Sequence, residues 1–296
     1  MAIITWPHFG LLVSSFLLLV VISSVDGNSF EFLQQLEGSQ KGNTVQGVQQ
    51  LKQYLKRFGY LDASHSNDDE YDELVESAVK TYQLNYRLNV TGSLDPETLR
   101  EMMKPRCGVP DIVNGTNTMS TGKKNERLLF RLYDGNLKWS KTHLTYRLHS
   151  QVEVVDRGTL LSVISRAFSR WAKVTRLTFA EAQYGSHADI EIGFYRQNHG
   201  DGESFDGRGG IVAHATPPQS GLFHYDAEEN WSTNPTSSSQ TDLESVAVHE
   251  IGHVLGLRHS SNSGAIMYAS LYPGEIKRDL QRDDVQGIQT LYGLSR

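Results

Sequence analysis

The stretch "HEIGHVLGLRHS", residues 249 to 260, decides how the rest of the chain is read. On a helix, His249 and His253 lie one turn apart and project from the same face, so two imidazoles can reach one ion. Gly256 can take a positive φ that ends the helix and turns the chain back, and His259 can then reach the same ion. Three neutral imidazoles leave the fourth tetrahedral position open, which distinguishes a catalytic zinc from a closed structural one. Glu250, next to the first ligand, can hydrogen-bond a water held there. A bare His-Glu-x-x-His also arises by chance on polar helices, and Glu250 alone could be a surface carboxylate. The glycine and third histidine at fixed spacing take the pattern past coincidence.

Working outward, the helix is expected to start near Thr241, with Thr241 and Glu244 spaced as a capping box. Residues 198 to 235 are rich in Gly, His and Asp and show no clear periodicity. HLTYRLHS (143–150) alternates Leu144, Tyr146 and Leu148 against Thr145 and Arg147, and ADIEIGFY (188–195) alternates Ile190, Ile192 and Phe194; both read as strands. Between them Leu160, Ile164, Phe168 and Trp171 mark one face of a long amphipathic helix. This order of elements makes an α+β domain. A polar stretch, NGTNTMSTGKKNE (114–126), separates it from a first block of three short helices. Val45, Val48, Leu51 and Leu55 recur at helical spacing in the first, and Leu74, Val75, Ala78, Val79 and Tyr82 in the second. The third begins at Asp95-Pro96, where Asp95 can cap, Pro96 suits the first helical position and Leu94 can staple onto Leu99. It stops before Lys104-Pro105.

Past that helix lies PRCGVPD (105–111), which holds Cys107, the only cysteine in 296 residues. Three readings are open: an inert buried hydrophobe, half of an intermolecular disulfide, or a metal ligand. The segment reads as exposed and extended, a poor place for an inert core thiol. The N-terminal run FGLLVSSFLLLVVI (9–22) suits the apolar core of a signal peptide and is short of the roughly 20 residues of a membrane span. Cleavage is expected near Gly27; the lack of Lys or Arg before the run leaves an uncleaved anchor as the alternative. No later stretch is apolar enough to span a bilayer, so no stable membrane anchor is expected. Asn89, Asn114 and Asn230 head sequons, which agrees with secretion. With a net charge of −6 and no basic stripe, no nucleic-acid partner is expected.

HEIGHVLGLRHS followed by AIMY (265–268) resembles the metzincin signature with its Met-turn, Met267 being the methionine beneath the zinc. Ser260 after the third histidine is the matrixin variant, and PRCGVPD resembles the matrixins' cysteine switch. With both motifs in order, the chain resembles a matrix metalloproteinase zymogen, most of all the plant matrixins, over roughly residues 40 to 296. The resemblance implies a signal peptide at 1–27 and a propeptide at 28–137 built on a peptidoglycan-binding-like helical bundle. It implies a catalytic domain at 138–296 with a twisted, mostly parallel sheet and an active-site helix. It also organises the Gly/His/Asp-rich region: His199, Asp201, His214 and His224 match a closed structural zinc site. Asp206, Asp226 and Glu229, with the carbonyls of Gly207, Gly209 and Ile211, match a calcium site, whose all-oxygen shell suits a hard cation. Read without the family, this region is a glycine-rich loop with surface histidines. The loop from His214 to His224 is shorter than in many matrixins and lacks their Gly-x-Gly-x-Asp run, which argues against a further calcium at Asp189.

A second departure concerns specificity. Ala269-Ser270-Leu271 stands where matrixins usually have Pro-x-Tyr lining the S1′ pocket. Ser245 matches a position that helps set that pocket's depth, and its small side chain implies a roomy, apolar site. The expected function is a secreted, extracellular zinc endopeptidase (in the cell wall or apoplast if the plant likeness holds), made as a latent precursor and acting on protein or peptide substrates. Glu250 is the expected general base. The propeptide is the intramolecular inhibitor, with Cys107 filling the fourth zinc position and Arg106 paired with Asp111 to hold its bend. The alternatives are a catalytically silent zinc-binding protein, against which the intact Glu250 argues, and a cell-wall-binding protein.

Overall fold

The structure, a computed structural model, describes residues 29–119, 130–272 and 274–294. The expected leader and positions 120–126 of the polar stretch lie outside the described residues. The first block contains the three expected helices, α1 (Val48–Arg57), α2 (Glu73–Asn85) and α3 (Pro96–Met102). Asp95 caps α3 by accepting from the Thr98 amide at 2.8 Å, with Pro96 in the first turn. Val48, Leu51, Leu55, Val75, Val79, Tyr82, Leu94 and Leu99 are buried together. Leu74 is not: it is 58% exposed, because it sits in the first turn at the edge of the apolar stripe. A short 3-10 helix, Glu31–Leu36, adds Leu33 and Leu36 to this core.

After α3 the chain runs through β1 (Arg106–Cys107) into a hairpin of β2 (Ile112–Val113) and β3 (Thr116–Asn117). Its two-residue turn is Asn114-Gly115, with φ of 50° and 73°, the positive pair that a type I′ turn needs. The start of the polar stretch is therefore ordered structure rather than linker, and it carries Met119 back into the bundle core, fully buried.

The second block comprises β4 (His143–Leu148), α4 (Arg157–Ala172), β5 (Thr178–Glu181), β6 (Ile190–Tyr195), β7 (Ile211–Ala215), β8 (Leu222–Asp226), β9 (Trp231–Ser232), β10 (Thr241–Asp242), α5 (Leu243–Val254) and α6 (Arg282–Tyr292). The main sheet has the order β1-β7-β8-β6-β4-β5, and every pairing is parallel except β7 with β8. Its core joins the inward residues of β4 and β6 to Leu160, Ile164, Phe168 and Trp171 of α4 and to the apolar side of α5. The Trp171 indole donates to the Val248 carbonyl at 3.0 Å, which pins α4 against α5.

One strand of this sheet, β1, comes from the first block. Its parallel pairing with β7 is made by Arg106 N donating to Gly210 O (2.7 Å) and Gly108 N to Ala213 O (2.8 Å). On its other side Cys107 N donates to Ala269 O (2.9 Å) and Leu271 N to Pro105 O (3.0 Å). Cys107 is consequently 3% exposed, not on an exposed segment as expected, because strand pairing on both sides draws it into a slot between sheet and loop. The blocks share apolar packing as well: Phe205, Ile211, Tyr268 and Ala269 belong to the core of the helical bundle. The Tyr268 hydroxyl donates to Glu101 Oε1 at 2.9 Å, and Arg57 pairs with Glu203. Among the described residues no helix is long and apolar enough to cross a membrane.

Gly252 of α5 lies between the first two ligand histidines, against Met267. A Cβ there would overlap Met267 Sδ and crowd Trp171 Cζ2 at 3.1 Å, and both side chains are buried. Gly252→Ala is therefore expected to destabilise the protein by about 1–3 kcal/mol through overpacking. Urea denaturation checks this; an unchanged midpoint would mean that Met267 can swing aside.

Candidate active site and metal centres

Helix α5 opens one residue later than expected. Asp242, not Thr241, is the N-cap, accepting from Ser245 N at 2.7 Å and Ser245 Oγ at 2.6 Å. Thr241 is instead engaged in the short pairing of β10 with β9, and Glu244 turns to Arg166 and Arg170 as a buried ion-pair partner. The helix ends at Val254, and Gly256, with φ of 107°, turns the chain back to bring His259 alongside His249 and His253.

All three imidazoles are buried, and each Nδ1 faces an acceptor. His249 Nδ1 donates to Ile266 O (2.7 Å), His253 Nδ1 to Leu257 O (2.8 Å) and His259 Nδ1 to an Asp111 carboxylate oxygen (2.8 Å). These acceptors fix the protons on Nδ1, so the Nε2 lone pairs point inward. His249 Nε2 and His253 Nε2 meet at 3.1 Å, and among the described residues His259 Nε2 has no hydrogen-bond partner. Burial pushes the His249 imidazole down to about 3 and that of His253 well below the usual range, so neither carries a proton that could fill the gap. Three buried lone pairs aimed at one point fit a cation, and three nitrogens with one sulfur fit zinc.

The sulfur is that of Cys107, whose Sγ lies within 4.8 Å of the ligand atoms of all three histidines. Burial, and next the charge of Glu250, push the thiol well above its ordinary value. The bend carrying it is held by Arg106, whose guanidinium meets Asp111 with two hydrogen bonds of 3.1 and 3.0 Å and lies 3.5 Å over the Phe58 ring. Glu250 is fully buried beside the cluster with its carboxylate facing the Cys107 thiol, and burial pushes its carboxyl up to about 8, against the lowering effect of that contact. A cation at the imidazoles would pull that value back down.

A second cluster gathers His199, Asp201, His214 and His224, again within 4.8 Å of one another. Asp201 Oδ2 faces His199 Nε2 (2.9 Å), His214 Nε2 (2.7 Å) and His224 Nδ1 (2.9 Å). Three imidazoles and a carboxylate with no gap for water fit a closed zinc site. Asp206, in the loop before β7, lies near Asp226 at the end of β8 and Glu229 just after it, burial pushing them up to about 7, 7 and 8. Asp226 Oδ2 is buried without a partner. Asp189 is engaged elsewhere, with Lys141 at 2.7 Å and the Thr145 amide at 2.7 Å.

Beside His249 and Glu250 opens a small cavity of about 30 Å³ lined by Val212, Ser245, Ile266, Tyr268 and Leu271. Ser245 Oγ accepts from Lys277 N at 2.8 Å, which ties the helix start to the loop closing that cavity. Of the sequon asparagines, Asn89 and Asn114 are exposed, whereas Asn230 is half-buried and its Nδ2 donates to Ser239 O at 2.8 Å.

Sequence reasoning missed two carboxylates and half the role of a third. Asp111 was read only as a partner of Arg106, yet it also holds His259. Asp284, at the start of α6, accepts from the amides of Ile266 (2.9 Å) and Met267 (3.0 Å) and so fixes the Met-turn, leaving Met267 buried near the ligands. Asp283 accepts from Ser260 Oγ at 2.7 Å. The adjacent acidic pair in the first turn of α6 was a visible helix-start signal.

A three-histidine zinc cradle closed by a cysteine from a preceding helical block, on a mostly parallel sheet, defines a zinc metalloendopeptidase with its propeptide in place. The chain belongs to the matrixin family, which residues 138–293 match; residues 44–102 match a putative peptidoglycan binding domain. It is 43% identical over 279 residues to metalloendoproteinase 5-MMP of Arabidopsis thaliana, covering 90% of this chain and 76% of that protein. Metalloendoproteinase 1 of Glycine max is 45% identical over 262 residues, covering 86% of this chain and 84% of its own length. Human neutrophil collagenase is 40% identical over 251 residues, covering 83% of this chain and 50% of that protein.

The burial of Cys107 has a direct readout. Ellman's reagent is expected to leave the thiol of the native full-length protein almost untouched and to titrate one thiol per chain after denaturation. Rapid stoichiometric reaction in the native state would show that the segment is not docked.

Proposed function

We propose that this protein is a secreted matrixin made as a latent precursor, which hydrolyses extracellular proteins once the Cys107 segment leaves its slot. The observation that carries this reading is the meeting of Cys107 with His249, His253 and His259 beside the buried Glu250. On this reading residues 1–27 are the signal peptide, 28–137 the propeptide and 138–296 the catalytic domain. A zinc ion held by the three histidines supplies Lewis acidity, polarising a carbonyl and acidifying water. Glu250 takes the proton of the attacking water and delivers it to the leaving amine. The neighbouring main-chain groups of β7 and of 269–271 hold an extended peptide across the cleft. The apolar cavity at Ser245 takes the side chain that follows the scissile bond, and its apolar walls with the small Ser245 side chain favour a large apolar residue. In the precursor, the Cys107 sulfur fills the place that water needs. The helical block supports an inhibitor role, because its core is completed by residues of the catalytic block.

The test compares full-length wild type, Cys107→Ser and Glu250→Ala on a peptide library, with the products sequenced by mass spectrometry. Wild type should be silent, and Cys107→Ser should cleave or self-process, cutting before Leu, Ile, Met or aromatic residues. Glu250→Ala should remain folded and, after propeptide removal, lose several orders of magnitude in rate. A Cys107→Ser protein as silent as wild type would overturn the latch, full activity in Glu250→Ala the mechanism, and cuts before charged residues the pocket.

The second zinc, at His199, Asp201, His214 and His224, and calcium at Asp206, Asp226 and Glu229 with the carbonyls of Gly207, Gly209 and Ile211, complete the proposal. Crowded acids with an unpartnered oxygen support the calcium. Asn89 and Asn114 are the sequons whose amides are free to carry a glycan. With zinc held constant, withdrawing calcium is expected to lower the thermal midpoint by several degrees, since the ion stabilises only the folded loop. Asp226→Asn should abolish most of that response; an equal response in the variant would place calcium elsewhere.

A further inference from the structure

The three ligand histidines do not have equivalent support. His249 and His253 rest on the carbonyls of Ile266 and Leu257, which belong to the same block as the ligands and stay with them. His259 alone rests on a side chain, and that side chain comes from the other block: Asp111 Oδ1, 2.8 Å from Nδ1, with both residues fully buried. Asp111 is itself fixed on every side. Arg106 reaches both of its oxygens, and the hydroxyls of Tyr60 (2.8 Å) and Tyr86 (3.2 Å) donate to Oδ2, leaving Oδ1 turned to His259. Its two contacts with the Arg106 guanidinium pair its charge within the buried site. An ionised carboxylate behind a ligand imidazole orients the ring, fixes its tautomer and strengthens it as a donor to the metal, more than a neutral carbonyl does.

We propose that Asp111 is a positioning residue of the zinc site: the precursor supplies both the blocking thiolate and the outer carboxylate of the third ligand, so it holds zinc more tightly than Cys107 alone accounts for. Departure of the propeptide then loosens the ion as well as uncovering it. The inference rests on the reading of His249, His253 and His259 as zinc ligands.

The experiment measures zinc release from full-length protein to a chromophoric chelator, after zinc content has been determined by elemental analysis. Asp111→Asn is compared with wild type, and Cys107→Ser/Glu250→Ala/Asp111→Asn with Cys107→Ser/Glu250→Ala, so that neither loss of the thiolate nor self-processing can account for the second difference. Within each pair one zinc equivalent should be released about 10- to 100-fold more readily, and the other should be unchanged. Tyr60→Phe, which removes a partner of Asp111 but leaves the His259 contact, should stay within about threefold of wild type. Release within threefold in either pair overturns the proposal, as does a Tyr60→Phe effect equal to that of Asp111→Asn, which would reduce the aspartate to general support of the bend. A His249→Ala/His253→Ala protein holding as much zinc as wild type would instead overturn the underlying assignment of the three histidines.

Discussion

Everything in this molecule is arranged around a point where three buried imidazole lone pairs converge with no donor to meet them. Such a point is unfavourable without a cation, since buried acceptors left unpaired cost free energy comparable to lost hydrogen bonds. The chain tolerates it because the surrounding structure holds each ring from behind and leaves none free to turn away. Helix α5 sets two of the rings one turn apart, and the turn at Gly256 sets the third. The α6 carboxylate of Asp284 locks the loop that carries the Ile266 carbonyl, so a helix far along the chain contributes to the placement of His249.

Counted together, the buried charges balance once the ion is present. Zinc with a thiolate and an ionised Glu250 sums to zero, and the Arg106–Asp111 pair is neutral by itself. An isolated buried charge is expensive, whereas a compensated and hydrogen-bonded set is tolerated. This gives a physical reason for Arg106 to be buried so deeply: Asp111 beside His259 would otherwise add an unmatched negative charge.

The sequence made the ligand set legible because metal ligation constrains both residue type and spacing. His249, His253 and His259 needed only helical geometry and one glycine, and the α4 stripe of Leu160, Ile164, Phe168 and Trp171 needed only the 3.6-residue period. What escaped was set by tertiary pairing. Cys107 looked exposed because nothing local reveals that the edge of β7 and the 269–271 loop close on it from both sides. Thr241 looked like a cap because its spacing to Glu244 is right, but β9 claims it and Asp242 takes the role. The Asn114-Gly115 turn was readable from the dipeptide itself and was hidden by the polar composition around it. Recognising the second zinc cluster required the family resemblance, since three histidines and an aspartate scattered over 26 residues of glycine-rich loop have no period to betray them.

The two-residue strand β1 has a consequence out of proportion to its length. It lies in a slot whose two walls both present main chain: the Gly210 and Ala213 carbonyls on one side, the Ala269 carbonyl and Leu271 amide on the other. Withdrawing it leaves these groups facing each other across a gap one strand wide. Any extended peptide carries amides and carbonyls able to satisfy them, whatever its side chains. Grip in this slot is therefore blind to sequence, and discrimination among peptides has to arise where side chains leave the strand, in the pockets on either side of it.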